Sequence, residues 1–213
     1  MDQRSTGIIL RTHPLTETSL IVHWLTPDLG RIATVAKGAR RPKSPFRGKL
    51  DLFYEADFSF VRSRKSELHT LREVALRETH RTLRQDLGWI QQASYAAAFI
   101  EQTTETETPL AEVHALMTSM LVHLLERPPL SRTVFAFELK MLARLGLQPK
   151  LSETHLQPGT REIARALTDA GWNAIARLRL SHAQENQLRQ FLHGFLIFHL
   201  GKLPRGRAAA ITS

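Results

Sequence analysis

Residues 31–49 hold seven lysines and arginines and no aspartate or glutamate. Gly38 and Gly48 allow the backbone close approaches and positive φ angles. Pro42 and Pro45 restrict the chain, which keeps the charges presented rather than spread apart. Such cations can pair with successive phosphates of a nucleic acid, and the released counterions then drive binding. The alternative is a solvated loop that only aids solubility. The residues predicted to bind phosphates are Lys37, Arg40, Arg41, Lys43, Arg47 and Lys49.

Recognition of single strands also uses aromatic rings, because bases stack on them. Phe46 lies inside the basic stretch and is the best stacking candidate, since a loop aromatic has less core to enter. Its alternative role is to pack in the core. The aromatic residues of the neighbouring apolar stretches are expected to be mostly core: Trp24, Phe53, Tyr54, Phe58 and Phe60.

Few residues have the types and spacing that catalysis or metal binding requires. The chain contains no cysteine, which excludes disulfides, thiol catalysis and cysteine-ligated zinc. His114 and His123, like His193 and His199, lack the spacing of a zinc-binding helix. The acidic residues are scattered, whereas a metal-dependent nuclease needs clustered carboxylates. We therefore predict a protein that is not an enzyme and has no cofactor, with a nuclease as the weaker alternative.

The overall composition indicates a folded protein with an anionic partner. The 213 residues are 42% hydrophobic, and 29 basic side chains against 20 acidic ones give a net charge of +9. This balance favours nucleic acid or, less often, a membrane surface. The first residues lack the apolar core of a secretion signal, and no apolar run is long enough to span a bilayer. We expect a soluble, cytoplasmic protein.

The first part of the chain has the pattern of short β-strands separated by turn residues. Five strands are predicted, at residues 7–11, 19–26, 31–36, 52–61 and 68–76. Their number and size favour a five-stranded oligonucleotide-binding (OB) barrel over residues 1–80. The basic stretch would then join two strands of this barrel.

From about residue 79 the apolar residues follow a helical period, which predicts an all-α domain over residues 81–213. The fold class is therefore α+β with two domains. Ser181 and Gln184 have the spacing of a helix capping box. The basic tail from residue 202 is expected to fray. Glu138 falls within the apolar arc of a helix over 131–145, so we predict that it is buried and paired, with Arg177 or Arg179 as partner.

Three stretches resemble a known family. ETSLIVHWLTPDLGRIATVAKGARRPKS, with the later GKL, resembles the amino-terminal domain of the RecO family of recombination mediators. FELKMLARLGLQP and FLIFHLGKLPRGR resemble later landmarks of that family. The resemblance implies an OB barrel followed by a helical domain. It also implies binding of single- and double-stranded DNA, annealing of complementary strands, and help in loading RecA onto DNA coated by single-stranded DNA-binding protein (SSB).

The partners that the resemblance implies are RecR and the acidic tail of SSB. An acidic tail requires cations beside an apolar groove. Arg132, Lys140 and Arg144 are predicted to project from their helix opposite its apolar arc and to bind this tail. The alternative function is that of an RNA-binding or translation-associated OB protein with a helical interaction domain.

The chain departs from the family at one place. Many members carry a four-cysteine zinc module after the LG-x-x-P landmark, whereas here the corresponding stretch is KLSETHLQPGTREI. We therefore predict no zinc site in this region.

Overall fold

The computed structural model describes residues 2–212, which form two compact units. One unit contains the chain up to Arg81 together with Thr104–Ala115. The other contains Thr82–Thr103 and the chain from Leu116 onward. The segment Thr104–Ala115 therefore groups with the amino-terminal residues, although it lies beyond the boundary predicted at residue 80. Within residues 2–212, no helix combines the length and apolar character needed to cross a bilayer.

The amino-terminal unit is a closed barrel, which confirms the predicted five-stranded OB architecture. Around the barrel the strands follow the order β1-β2-β3-β5-β4. The β3–β5 pair is parallel and the other four pairs are antiparallel. The strands are β1 (Asp2–Pro14), β2 (Leu20–Thr26), β3 (Gly30–Ala36), β4 (Glu55–Val61) and β5 (Leu68–Glu78).

Strand β1 closes the barrel because it bends. Its first half, from Asp2 to Ile8, pairs with β4, and its second half pairs with β2. The register with β2 shifts between Ile9 and Arg11. A bulge at such a point bends the strand and increases its twist, so one strand can serve two neighbours and leave no open edge.

Aromatic side chains fill the barrel. The rings of Trp24 and Phe58 stack with centroids 4.1 Å apart. Trp24 Nε1 donates a hydrogen bond of 2.9 Å to Thr34 Oγ1, so the one polar atom of this buried indole is satisfied. In β3, buried Ile32, Thr34 and Ala36 alternate with half-buried residues, as a strand with one face on the core requires.

The second unit is helical. Helix α3 is the most deeply packed, since its residues from Thr133 to Leu142 are all buried. The predicted capping box is confirmed, since Ser181 Oγ accepts from the Gln184 amide and Gln184 Oε1 accepts from the Ser181 amide. The helices are α1 (Leu87–Thr103), α2 (Ala111–Glu126), α3 (Ser131–Arg144), α4 (Pro158–Asp169), α5 (Trp172–Ile175), α6 (His182–Leu200) and α7 (Arg207–Thr212), with short 3-10 turns at Arg81–Gln85 and Leu151–Glu153.

The carboxy-terminal tail is folded through Thr212, so the expectation that it frays is wrong over these residues. Gly201 ends α6 with a φ of +72°, and the chain then forms α7. Ala210 and Ile211 are buried, and the Ala210 carbonyl accepts a hydrogen bond of 3.0 Å from Gln92 Nε2 of α1. The tail packs because its apolar residues follow a helical spacing, which its basic composition obscured.

Glu138 is fully buried and paired, as predicted, but its partner is not Arg177 or Arg179. Arg207 of α7 donates to both of its carboxylate oxygens, and the Tyr95 hydroxyl of α1 donates to Oε1 at 2.5 Å. Burial, followed by the charge of Glu138, raises the pKa of Tyr95 well above its usual value. The hydroxyl therefore stays protonated as a donor, and the triad joins three helices.

Candidate nucleic-acid interface

The basic loop (residues 37–49) begins immediately after β3 and is built from consecutive tight turns. In each turn an amide donates to the carbonyl three residues earlier, at 3.0–3.3 Å. The loop is therefore a compact hydrogen-bonded structure rather than a solvated excursion. The donating amides belong to Ala39, Arg41, Ser44, Arg47 and Lys49.

The connection between β1 and β2 braces the start of this loop. The Arg40 amide donates 3.0 Å to the Thr18 carbonyl, and Arg40 Nη1 donates 3.1 Å to the Thr16 carbonyl. Gly38 has a φ of +69°, a conformation that side chains with a Cβ rarely adopt. This glycine lets the chain turn away from β3 and reach the neighbouring connection.

Phe46 anchors the middle of the loop, which favours its core role over the predicted stacking on a base. Only 6% of Phe46 is exposed, and it belongs to the apolar cluster that contains Trp24 and Phe58. A ring buried to this degree packs mainly in the core, so the structure favours the core alternative, and stacking of Phe46 on a base stays a prediction. The reason is that the turns fold the loop back onto the barrel. Burial of such a ring contributes roughly 1.5–3 kcal/mol, which holds the loop in place.

The anchored loop leaves five of its six cations exposed to solvent. Lys49 is half-buried, and its Nζ donates 3.1 Å to the Val74 carbonyl of β5. Arg40, Arg41 and Arg47 line a groove of about 390 Å³ whose floor includes Leu20, Phe46 and Leu50. The exposed cations are Lys37, Arg40, Arg41, Lys43 and Arg47.

A rigid scaffold thus holds like charges together before any ligand arrives. Arg47 Nη1 donates 3.3 Å to the Pro42 carbonyl, which further fixes its position. Because the loop is preorganised, little conformational entropy is lost on binding, and the repulsion between its cations is relieved when phosphates approach. The predicted residues are brought together; their contact with a nucleic acid remains a prediction.

A second cationic surface lies on the outside of β1, β2 and β3, and the sequence analysis missed it. We call it the outer histidine patch (Arg11, His13, His23 and Arg31). His13 Nε2 and His23 Nε2 are 3.0 Å apart, and Arg11 is the cross-strand partner of His23. His23 and Arg31 alternate with buried residues along their strands, and Arg11 and His13 are two residues apart in β1, so strand periodicity could have found the patch once the pairing of the strands was known.

His23 is held neutral in this patch. Burial, followed by the positive charge of Arg11, then His13 and then Arg31, lowers its pKa from 6.5 to about 4. The surroundings of His23 therefore disfavour its protonated form, and two guanidinium groups contribute to this effect.

The three cations predicted to bind a partner in the helical unit have structural contacts. Lys140 is only 9% exposed, and its Nζ donates 2.8 Å to the Thr168 carbonyl and 2.7 Å to the Ala170 carbonyl. The prediction that it projects from α3 into solvent is therefore wrong. The reason is that the end of α4 packs over this side of α3 and leaves unpaired carbonyls that a cation satisfies.

Arg132 has a similar role at the end of α5. Its guanidinium donates 2.7 Å to the Ala176 carbonyl and 2.8 Å to the Leu178 carbonyl. Arg144 is exposed, and its Nη1 donates 2.9 Å to the carbonyl of Lys140. Binding of an acidic peptide by these residues remains a prediction. Arg144 is exposed, Arg132 is half-buried and Lys140 is buried.

The residues at the position of the family's zinc module do not fit a zinc ion. The stretch from 150 to 163 offers His155 as its only histidine and contains no cysteine. Across residues 2–212, no group of three or more histidine, cysteine, aspartate or glutamate side chains could hold a metal ion. A closed zinc site requires four such ligands.

Comparison with known proteins places both units in one family. The family model described as "Recombination protein O N terminal" matches residues 1–80, and the one described as "Recombination protein O C terminal" matches residues 84–156. The chain is 34% identical over 143 residues to the DNA repair protein RecO of Rhodopirellula baltica, covering 67% of this chain and 53% of that protein.

Two further relatives are matched over more of their length. The DNA repair protein RecO of Bacillus pumilus is 30% identical over 208 residues, which are 94% of this chain and 80% of that protein. The DNA repair protein RecO of Symbiobacterium thermophilum is 33% identical over 209 residues, which are 88% of this chain and 79% of that protein. The matched region therefore spans about half of the first relative and about four fifths of these two.

Proposed function

Because the chain belongs to the RecO family of recombination proteins, we propose that it is a DNA-binding mediator of recombinational DNA repair. The observation that carries the proposal is the basic loop, in which a buried phenylalanine and consecutive turns hold five exposed cations on an OB-type barrel. A preorganised row of cations suits a phosphate backbone.

Phosphate contacts carry little sequence information, so binding is tolerant of sequence. This tolerance is what a mediator requires, since damage arises at any sequence. The same cations can neutralise both strands of a complementary pair and lower the repulsion between them. On this physical ground we propose that the protein binds single- and double-stranded DNA and anneals complementary strands.

The partners follow from the family rather than from any contact described above. We propose RecR and the acidic carboxy-terminal tail of SSB as direct partners, with RecA loaded onto SSB-coated DNA as the outcome. The protein would act in the cytoplasm, at the nucleoid, and without catalysing a covalent step.

The test is a strand-annealing assay with complementary oligonucleotides, one labelled with a donor and the other with an acceptor dye. The wild-type protein is compared with a variant in which Arg40, Arg41, Lys43 and Arg47 are all alanine. We expect the variant to lose annealing while its circular dichroism is unchanged. Equal annealing by both proteins would show that the basic loop has no part in annealing.

Two further experiments distinguish the proposed function from the alternatives, which are RNA binding and nuclease activity. Titration with DNA and RNA of the same sequence distinguishes a recombination mediator from an RNA-binding protein, because the latter prefers RNA through contacts to the 2′-hydroxyl. Incubation of DNA with Mg²⁺ or Mn²⁺ tests for a nuclease. Preferential RNA binding or cleavage of the DNA would each contradict the proposal.

A further inference from the structure

The outer histidine patch combines two features that the basic loop lacks. Its two guanidinium groups belong to the strands on either side of β2. Arg11 in β1 is the cross-strand partner of His23, and Arg31 in β3 lies two residues from Ala33, the other partner of His23. The patch also contains the contact between His13 and His23, whose ring centroids are 4.8 Å apart. The face formed by the second and third strands is also where OB barrels commonly hold oligonucleotides.

The histidine contact requires that at least one of the two facing nitrogens lacks a proton. At 3.0 Å between the Nε2 atoms, one ring donates and the other accepts. If both rings were protonated, two N–H groups would face each other, and the contact would have to open. The open pair would then present two donors beside Arg11, the cross-strand partner of His23.

The groups acting on this pair favour an anion. From β1 they are Arg11 and His13, and from β3 Arg31, and each of them opposes a proton on His23. Arg31 is held in place because its guanidinium donates to the hydroxyl and carbonyl oxygens of Thr104. A cation bound between the imidazoles would meet two guanidinium charges and only two ligands, so the pair is poorly suited to a metal ion.

We propose that the outer histidine patch is a second phosphate site of the barrel, which binds the backbone of single-stranded DNA and takes up a proton from solvent as it does so. The negative charge of the phosphate offsets the positive potential that Arg11 and Arg31 exert on His23, which favours the protonated ring. The newly charged ring then donates to a phosphate oxygen, so each of the two events favours the other. This inference rests on the proposed DNA-binding function and adds a site and its regulation by pH.

Thermodynamic linkage between proton binding and DNA binding gives the direction of the pH effect on affinity. His23 has a pKa of about 4 in the free protein, and a bound phosphate raises it. Over the pH interval between the free and the bound value, the complex holds more protons than its components. Affinity for DNA therefore rises as the pH falls through this interval, by up to about tenfold per pH unit for one proton taken up.

The test measures binding of labelled oligothymidylate of about 16 nucleotides, because thymine does not titrate in the range used and this length fills an OB barrel. Anisotropy titrations run from about pH 7.5 to about pH 5.5 at constant ionic strength, the range in which histidine changes charge. The proteins are the wild type, the double variant His13→Gln and His23→Gln, and the matched control His193→Gln, whose histidine is exposed in the helical unit.

We expect the wild type and the His193→Gln control to bind more tightly at low pH, by at least about threefold over this range. The double variant should show a flat profile with an unchanged circular dichroism spectrum. As a second readout, the His23 ring resonance should titrate at higher pH in the presence of the oligonucleotide than in its absence. Equal pH dependence in wild type and double variant, or none in the wild type, would overturn the inference while leaving DNA binding intact. If the wild type bound no oligonucleotide at any pH, the proposed DNA-binding function itself would be contradicted.

Discussion

Arg207 and Glu138 form a two-point ion pair in the helical unit, with Nε 2.6 Å from Oε1 and Nη2 3.0 Å from Oε2. Both side chains are almost completely buried. A guanidinium that meets a carboxylate through two parallel hydrogen bonds has a fixed orientation, so the pair determines how α7 lies against α3. Tyr95 adds a third hydrogen bond from α1.

Replacing Glu138 by alanine should lower the free energy of unfolding by about 3 to 5 kcal/mol, because it leaves the buried Arg207 without its counter-charge. Urea unfolding followed by far-UV circular dichroism measures the change. Arg179→Ala is the matched control, since this arginine is exposed, and it should unfold at the wild-type midpoint. A wild-type midpoint for Glu138→Ala would mean that the pair contributes nothing to stability.

The burial of Glu138 could be predicted from sequence, but its partner could not. The helical period of α3 is local, and it places Glu138 among apolar residues whatever the rest of the chain does. The partner depends on which distant segment packs against that face. Arg207 lies 69 residues away, in a tail whose basic composition is typical of a frayed end.

The same distinction explains the correct and incorrect parts of the candidate site. The strand alternation around Trp24 and Phe58 and the turn residues of the basic loop are local signals, and they predicted the barrel and the exposed cations. Whether Phe46 points into the barrel or Lys140 meets the end of α4 depends on tertiary packing. A helical projection shows Lys140 as polar and opposite the apolar arc, but it cannot show the carbonyls that cover it.

Replacing Lys140 should lower the stability of the protein and not only its binding to a partner. Lys140→Glu places a carboxylate against the carbonyls of Thr168 and Ala170, and we expect it to destabilise the protein by about 3 kcal/mol. Arg144→Glu changes an exposed charge on the same helix and should change stability by less than about 0.5 kcal/mol. Thermal unfolding of the two variants tests this difference, and similar melting temperatures would show that the buried lysine does not support α4.

Metal removal should leave the protein unchanged, because the residues described offer no closed zinc site. Dialysis against a chelator is followed by thermal unfolding and by titration with single-stranded DNA. Protein purified without a metal-affinity tag should contain no stoichiometric zinc by elemental analysis. Loss of structure or of DNA binding after dialysis would contradict the prediction.

The charges of the basic loop should determine how strongly salt weakens DNA binding. Each phosphate contact that is removed should reduce the slope of log K against log salt concentration by about 0.7 to 0.9. Single alanine variants of Arg40, Arg41 and Arg47 are titrated with labelled DNA at several salt concentrations, with Arg177→Ala as an exposed control in the helical unit. If the slope is the same for all four variants as for wild type, the loop makes no phosphate contacts.

Phe46 should affect DNA binding through the position of the loop, because its ring is part of the barrel core. Phe46→Ala leaves a cavity in this core and should destabilise the barrel by about 3 kcal/mol. DNA affinity should fall as well, since the exposed cations lose their common anchor.

The variant Phe46→Leu distinguishes an anchoring role of Phe46 from a base-stacking role. Leucine fills most of the same space but has no aromatic face, so an anchoring role predicts that it restores both stability and affinity. A base-stacking role predicts instead that both variants bind single strands more weakly than the wild type, by roughly 1–3 kcal/mol, although the stability of Phe46→Leu recovers. Unfolding curves and DNA titrations of the two variants under the same conditions therefore decide between the roles.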